Sequence, residues 1–282
     1  MGSPCQLRLY HTHQAAADDV AAPLMAEARR LESLYSRYLE NSLISRINQA
    51  SGLAPVVLDA ETAHLINYAQ TVYTQSDGLF DITSGVLRRA WNFQTPRLPV
   101  QSELDTLLPL VGWEKVQWQT PNIRLPLAGM QVDLGGFVKE YAADAIAKLA
   151  LEQGISRGLV ELGGDIRVIG EGRWPLGVRN PQQPDQALWR LELAAGGFAS
   201  SGNYERHFDL NGNRYSHILN PKTGWPVITP ASVSVLADSC LLAGTVTTVA
   251  MLKGEEGCLT WLDEIGLPYL CVFNDGRIVN RF

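Results

Sequence analysis

The chain predicts an α+β fold, and three observations carry that prediction. Apolar residues at helical spacing cluster in the first half. Tight-turn signals between β-rich runs cluster in the second half. No regular βα alternation connects the two, which argues against a doubly wound sheet. No composition break, long linker or fixed-period repeat divides the chain, so residues 1–282 are expected to form one domain.

The elements follow in order. Residues 7–10 alternate weakly and read as a first strand. Over 15–38, Val20, Leu24, Ala28, Leu31, Leu34, Tyr35 and Tyr38 recur at helical spacing, the mark of an amphipathic helix. Leu39-Glu40-Asn41-Ser42 breaks it, and 42–50 reads as a short helix. Another helix is expected over 60–75, ended by Ser76-Asp77-Gly78. Residues 78–85 are bracketed by glycines and read as irregular, and Pro96 and Pro99 mark a loop. Strands are expected over 116–125 and 129–134. Residues 137–152 read as a helix with Phe137, Tyr141, Ala145 and Leu149 on one face and Gly154 as its stop.

Beyond that helix the hairpin signals begin. Gly163-Gly164 supplies the positive φ angles of a tight turn between strands over 159–162 and 166–169. Strands over 175–178 and 189–193 follow. Asn211-Gly212 joins 206–210 to 214–219. A strand over 232–236, a helix over 241–252, and a hairpin of 269–273 with 277–282 complete the chain.

Composition bounds the function. The chain has 282 residues, 46% hydrophobic and 18% charged, ordinary values for a globular protein with a sizeable core. A net charge of −6 argues against a broad nucleic-acid footprint, so any phosphate ligand must be held by local groups. Cys5, Cys240, Cys258 and Cys271 form no CxxC pair, which argues against zinc and leaves buried free thiols as the expectation. No apolar run reaches the ~18–20 residues that span a bilayer. No basic-then-apolar leader precedes Met1-Gly2-Ser3-Pro4-Cys5.

Five stretches carry candidate chemistry. Val132-Asp133-Leu134-Gly135-Gly136-Phe137-Val138-Lys139 places an Asp, a Gly pair and a Lys at a strand-to-helix junction. Helix starts offer unpaired N–H groups and a partial positive charge, so the junction suits a phosphate or pyrophosphate. A packing role for the glycines is an equal competitor, and neither GxGxxG nor a P-loop occurs. Ser200-Ser201-Gly202-Asn203-Tyr204-Glu205-Arg206 reads as a turn or as a polar wall facing a ligand. His217 lies in Tyr215-Ser216-His217-Ile218-Leu219-Asn220, near the end of a hairpin strand, where it could titrate near neutral pH. Gly244 and Thr248 share a helix face, and Trp91-Asn92-Phe93 reads as core or as a stacking surface.

Together these stretches resemble the ApbE family of FAD:protein FMN transferases. The likeness runs in order through Met1-Gly2-Ser3, Ser36-Arg37-Tyr38, Ser42-Leu43-Ile44-Ser45-Arg46-Ile47-Asn48, Gly78-Leu79-Phe80-Asp81, residues 132–141, Val160-Glu161-Leu162-Gly163-Gly164-Asp165, residues 201–206, residues 216–224 and residues 237–254. The resemblance implies a single domain with a mostly antiparallel sheet and packed helices. It implies transfer of FMN from FAD to a Thr or Ser hydroxyl of an acceptor flavoprotein subunit, with AMP leaving and Mg²⁺ as the metal. Met1, Tyr38, Trp91, Asn92, Phe93, Asp133, Lys139 and Leu219 would contact FAD, and His217 would be the general base. The Gly136 carbonyl, position 244 and the Thr248 hydroxyl would be the metal site. Export to the periplasm or a membrane anchor is the implied location, with the leader absent from this chain and a cytoplasmic location the alternative. A monomer or homodimer is expected.

One departure matters. The family has an Asp where this chain has Gly244, which supplies no side-chain ligand. Three readings follow: FAD binding without transfer, weak metal binding aided by the FAD pyrophosphate, or an introduced inactivating substitution. Hydrolysis of FAD to FMN and AMP is a further alternative. On the sequence alone, Gly244→Asp is expected to strengthen metal binding.

Overall fold

The computed structural model describes residues 4–183 and 185–282. The chain opens with β1 (Cys5–Leu9) and α1 (Gln14–Tyr35), which buries Leu24, Leu31 and Tyr35. Helix α2 (Leu43–Gln49) starts where the Ser42 hydroxyl oxygen accepts the Ser45 N–H at 2.9 Å. After β2 (Val56–Val57), Asp59 starts α3 (Ala60–Gln75) the same way, accepting from the Thr62 N–H at 2.8 Å. Each cap satisfies a donor that the first helical turn leaves open. A 3₁₀ helix (Ile82–Arg89), α4 (Gln101–Leu107), β3 (Gln117–Gln119), β4 (Asn122–Arg124) and α5 (Val138–Glu152) complete the first half. The second half comprises β5 (Arg157–Leu162), β6 (Asp165–Gly170), β7 (Trp174–Arg179), β8 (Ala187–Leu193), β9 (Gly197–Gly202), β10 (His207–Leu210), β11 (Asn213–Ser216), β12 (Ser232–Ala237), α6 (Cys240–Ile265), β13 (Tyr269–Val272) and β14 (Ile278–Asn280).

The main sheet runs β1-β5-β6-β9-β12-β13-β14, and every pairing in it is antiparallel. This is the α+β architecture that the sequence predicts. Strand periodicity divides the side chains between two layers. Tyr269 and Cys271 join the core shared with α1, α3, α5 and α6. Leu270 and Val272 face the other way, onto Trp174, Val178 and Leu193 of the β7–β8 hairpin. The helices therefore cover one face of the sheet and a hairpin covers the other. A third cluster, around Leu87, Trp91, Leu104, Phe208 and Leu219, supports the β10–β11 hairpin.

Several elements differ from expectation. Residues 129–134 join no sheet, because their polar groups are bonded elsewhere. The Asn48 side chain accepts from the Val132 N–H at 2.7 Å and donates to the Val132 carbonyl at 3.0 Å. The Asp133 N–H goes to the Ile82 carbonyl at 2.8 Å. The 116–125 run is a hairpin of β3 and β4 turned through Thr120-Pro121. Strand β9 lies in the middle of the sheet, although residues 200–206 read as a turn or polar wall. Its Gly-Phe-Ala-Ser-Ser-Gly run has weak β propensity, and pairing to β6 and β12 imposes the conformation. Gly197 is required there: a Cβ would sit 2.4 Å from the Cys240 nitrogen. Residues 82–89 are a 3₁₀ helix rather than irregular chain, and α4 has no counterpart in the sequence reading. The last helix passes residue 252, leaves helical geometry at Gly254 (φ 68°) and resumes to Ile265. Among the described residues, no helix is long and apolar enough to cross a membrane.

Candidate active site

A buried carboxylate builds the floor of the site. Asp81 Oδ1 accepts from the Thr83 N–H at 2.7 Å, and its Oδ2 accepts from the Trp113 N–H at 3.0 Å. These bonds start the 3₁₀ helix and tie it to the segment beyond α4. Arg37 braces the next layer. Its guanidinium donates to the Gly85 carbonyl at 2.7 Å, to Asp133 Oδ2 at 3.1 Å and to Gln131 Oε1 at 3.0 Å. Asp133 Oδ1 accepts from the Gly135 N–H at 2.9 Å, so the carboxylate links the Gly135-Gly136 turn to Arg37. Gly85 is needed for this packing, since a Cβ there would lie 2.7 Å from Asp133 Cβ.

Helix α5 leaves that turn with no side-chain cap at Phe137. Its first turn carries Lys139, whose ammonium pairs with Asp165 and lies 3.1 Å from Glu140 Oε1. Burial alone would lower the Lys139 pKa, but Glu140 and Asp165 together raise it, and the group stays charged. Burial pushes the Glu140 carboxyl up to about 8, opposed by Lys139 and assisted by Asp165. Asp165 Oδ1 accepts from the Ser200 N–H at 3.1 Å, which ties β9 to the group.

Gly244 of α6 faces Glu140. A Cβ at 244 would lie 2.5 Å from Glu140 Cγ, so the missing side chain is the space that Glu140 occupies. Glu140 is 6% exposed, and its Oε2 is buried without a hydrogen-bond partner.

His217 sits just past the end of β11, not inside a strand. Both its N–H and its Nδ1 point to the Arg206 carbonyl, at 2.9 and 3.2 Å. With Nδ1 donating, Nε2 is left as the proton acceptor. Burial first, then the Arg88 and Arg206 charges, lower the His217 pKa to about 4, so the ring is neutral at pH 7. The turn beyond it is held by Trp91, whose indole N–H donates to the Gly224 carbonyl at 2.8 Å.

These parts enclose a cavity of about 510 Å³. Tyr38, Asp133, Gly136, Lys139, His217, Leu219 and Thr248 all line it, as do Glu140 and Asp165. Tyr38 is 78% exposed at the rim, with the Arg37 guanidinium 5.9 Å from its ring centroid. Trp91, Asn92 and Phe93 are not on the cavity wall. Trp91 is buried in an aromatic cluster with Phe93, Phe208, Tyr215 and Trp225. Asn92 Oδ1 accepts from the Gln94 N–H at 2.9 Å. Gly244 lies behind the wall, and Met1 lies outside the described residues.

Sequence reasoning missed Glu140, Arg88 and the bracing role of Arg37. Arg37 and Asn48 stood in quoted stretches without an assigned task. Glu140 gave no signal, because its relation to Gly244 exists only where α5 packs on α6. Among the described residues, no group of three or more His, Cys, Asp and Glu is placed to hold a metal by itself. The available donors are all hard oxygens: Glu140, Asp165, Thr248 and the Gly136 backbone. With an orphaned buried carboxylate oxygen among them, they fit a divalent cation that takes its other ligands from water and substrate phosphate.

Comparison with known proteins gives the family and agrees with the fold. The model of the ApbE family matches residues 1–271. An FAD:protein FMN transferase of Klebsiella pneumoniae (strain 342) is 31% identical over 265 residues, covering 92% of this chain and 82% of the relative. The FAD:protein FMN transferase of Escherichia coli (strain K12) is 29% identical, covering 87% of this chain and 74% of the relative. The crystal structure of the ApbE protein from Thermotoga maritima superposes with a TM-score of 0.88 at 29% identity, covering 97% of this chain and 93% of that one. A histidine-to-glycine variant of the Vibrio cholerae flavin transferase ApbE superposes with a TM-score of 0.87 at 25% identity, covering 99% and 94%.

Proposed function

The chain belongs to the ApbE family, and from that premise we propose that it is an FAD:protein FMN transferase. The observation that carries the reading is the meeting of a neutral imidazole, a Gly-Gly turn, a lysine and hard oxygen donors in one cavity. The acceptor is a Thr or Ser hydroxyl of a flavoprotein subunit. Its oxygen attacks the FMN phosphorus of FAD, the bond to the AMP oxygen breaks, and AMP leaves.

Each residue then has a task. His217 Nε2 takes the proton of the acceptor hydroxyl. Tyr38 and Leu219 flank planar and apolar parts of FAD at the rim, and Trp91, Asn92 and Phe93 support that side through the 217–225 turn. Met1 is assigned to the same ligand. Asp133 holds the Gly135-Gly136 turn against the pyrophosphate, and Lys139 supplies positive charge beside it. Gly136 and Thr248 offer oxygens to Mg²⁺, and Gly244 adds no side-chain donor. Bound there, Mg²⁺ would neutralise charge on the phosphates, the main demand of phosphoryl transfer. The periplasm or the outer face of a membrane is the proposed site of action, where flavoprotein acceptors of this kind are met.

Purified protein, FAD, Mg²⁺ and an acceptor domain bearing a target Thr should give an acceptor that keeps flavin fluorescence after denaturing electrophoresis. FAD binding without such a band contradicts the proposal and favours a flavin-binding role.

A further inference from the structure

We propose that Glu140 is the carboxylate ligand of the divalent cation in this chain, doing from α5 what a residue at 244 would do from α6. The inference rests on the transferase reading for the identity of the cation, but its evidence is separate. Glu140 is almost fully buried, and a carboxylate in that position needs a counter-charge or donors for both oxygens. Lys139 lies 3.1 Å from Oε1, whereas Oε2 has no partner. The same ammonium also pairs with Asp165, so one cation is shared between two carboxyl groups. Oε2 is thus a buried acceptor left open in a residue that lines the cavity together with Asp165, Gly136 and Thr248.

Gly244 explains how Glu140 reaches that position. Any side chain at 244 would begin 2.5 Å from Glu140 Cγ and 3.0 Å from its carboxyl carbon. The glycine is mid-helix, where it costs about 1 kcal/mol relative to Ala. The space it opens is filled by a carboxylate with one free oxygen. Positions 140 and 244 therefore behave as a pair: one wall gives up its side chain and the facing wall supplies the charge. Two carboxylates, one hydroxyl and one carbonyl suit Mg²⁺, which takes its remaining ligands from water and substrate phosphates.

Mn²⁺ binding, read by loss of the free-ion electron paramagnetic resonance signal with FAD present and no acceptor, tests this. Glu140→Gln should raise the Mn²⁺ dissociation constant by about tenfold or more, since even outer-shell changes cost ~10–100-fold. FAD binding in metal-free buffer, read by flavin fluorescence, should stay near wild type and reports that the site is folded. The exchange Glu140→Gly with Gly244→Asp should recover most of the Mn²⁺ affinity that Glu140→Gly loses. Unchanged Mn²⁺ affinity in Glu140→Gln overturns the assignment, as does an exchanged variant that binds FAD but holds Mn²⁺ no better than Glu140→Gly. A wild-type chain whose Mn²⁺ site depends on Glu140 but which forms no acceptor adduct would end the transferase reading and leave the assignment standing.

Discussion

His217 and Gly244 show how a neighbour sets what a residue can do. An isolated imidazole titrates near 6.5. Here burial and two arginines hold it down to about 4, while the Arg206 carbonyl fixes the Nδ1 proton. A base must be unprotonated to work, so activity limited by His217 should persist as pH falls through 6.5 and be lost only near 4. A transfer profile with an acid limb at 6.5 would contradict this. His217→Ala should keep FAD binding and lower the transfer rate by about 10²–10⁴-fold, checked by single-turnover adduct formation. For Gly244, the packing gives a steric reason to expect the opposite of the sequence-based prediction. Gly244→Asp alone would press a Cβ to 2.5 Å from Glu140 Cγ and set another carboxylate beside it. The single substitution should destabilise by about 1–3 kcal/mol, read as a lower urea midpoint, rather than improve metal binding.

At the scale of elements, the site depends on short irregular segments that side chains hold in place. Asp81 ties the 3₁₀ helix to the Gly112–Trp113 segment through Thr83 and the Trp113 N–H. Asp81→Ala would leave those buried donors unpaired and should cost about 2–4 kcal/mol in urea unfolding. The periodic helices were legible: α3 was read from the sequence with the bounds it has, and α1, α2 and α5 within a few residues. So were the hairpins marked by Gly-Gly and Asn-Gly. What was not legible depended on partners distant in the chain. Residues 129–134 have a strand pattern but find Asn48 and Ile82 instead of a ladder. Strand β9 has little β propensity and is shaped by β6 and β12 on either side. Tyr38, Asp133, Gly136, Lys139, His217, Leu219 and Thr248, all implied by the family resemblance, line one cavity, whereas Trp91, Asn92, Phe93 and Gly244 from the same set do not. Glu140 was not in that set, because nothing local ties it to Gly244.

For the whole molecule, the cavity joins the first turn after α1, the 3₁₀ helix, the start of α5, β6, β9, the segments flanking the β10–β11 hairpin and α6. A ligand in it touches both halves of the chain and binds only the folded state. FAD at 100 times its dissociation constant should therefore stabilise the protein by about 2.7 kcal/mol, read as a rise in the thermal midpoint. An unchanged midpoint would mean that FAD does not occupy the cavity. The most direct test of the central claim compares AMP released with FMN attached, by chromatography and intact mass of a Thr-bearing acceptor in the presence of Mg²⁺. One AMP per adduct, with no AMP formed when the acceptor is left out, is the predicted result. AMP release without the acceptor, or bound FAD that yields neither product, would contradict it.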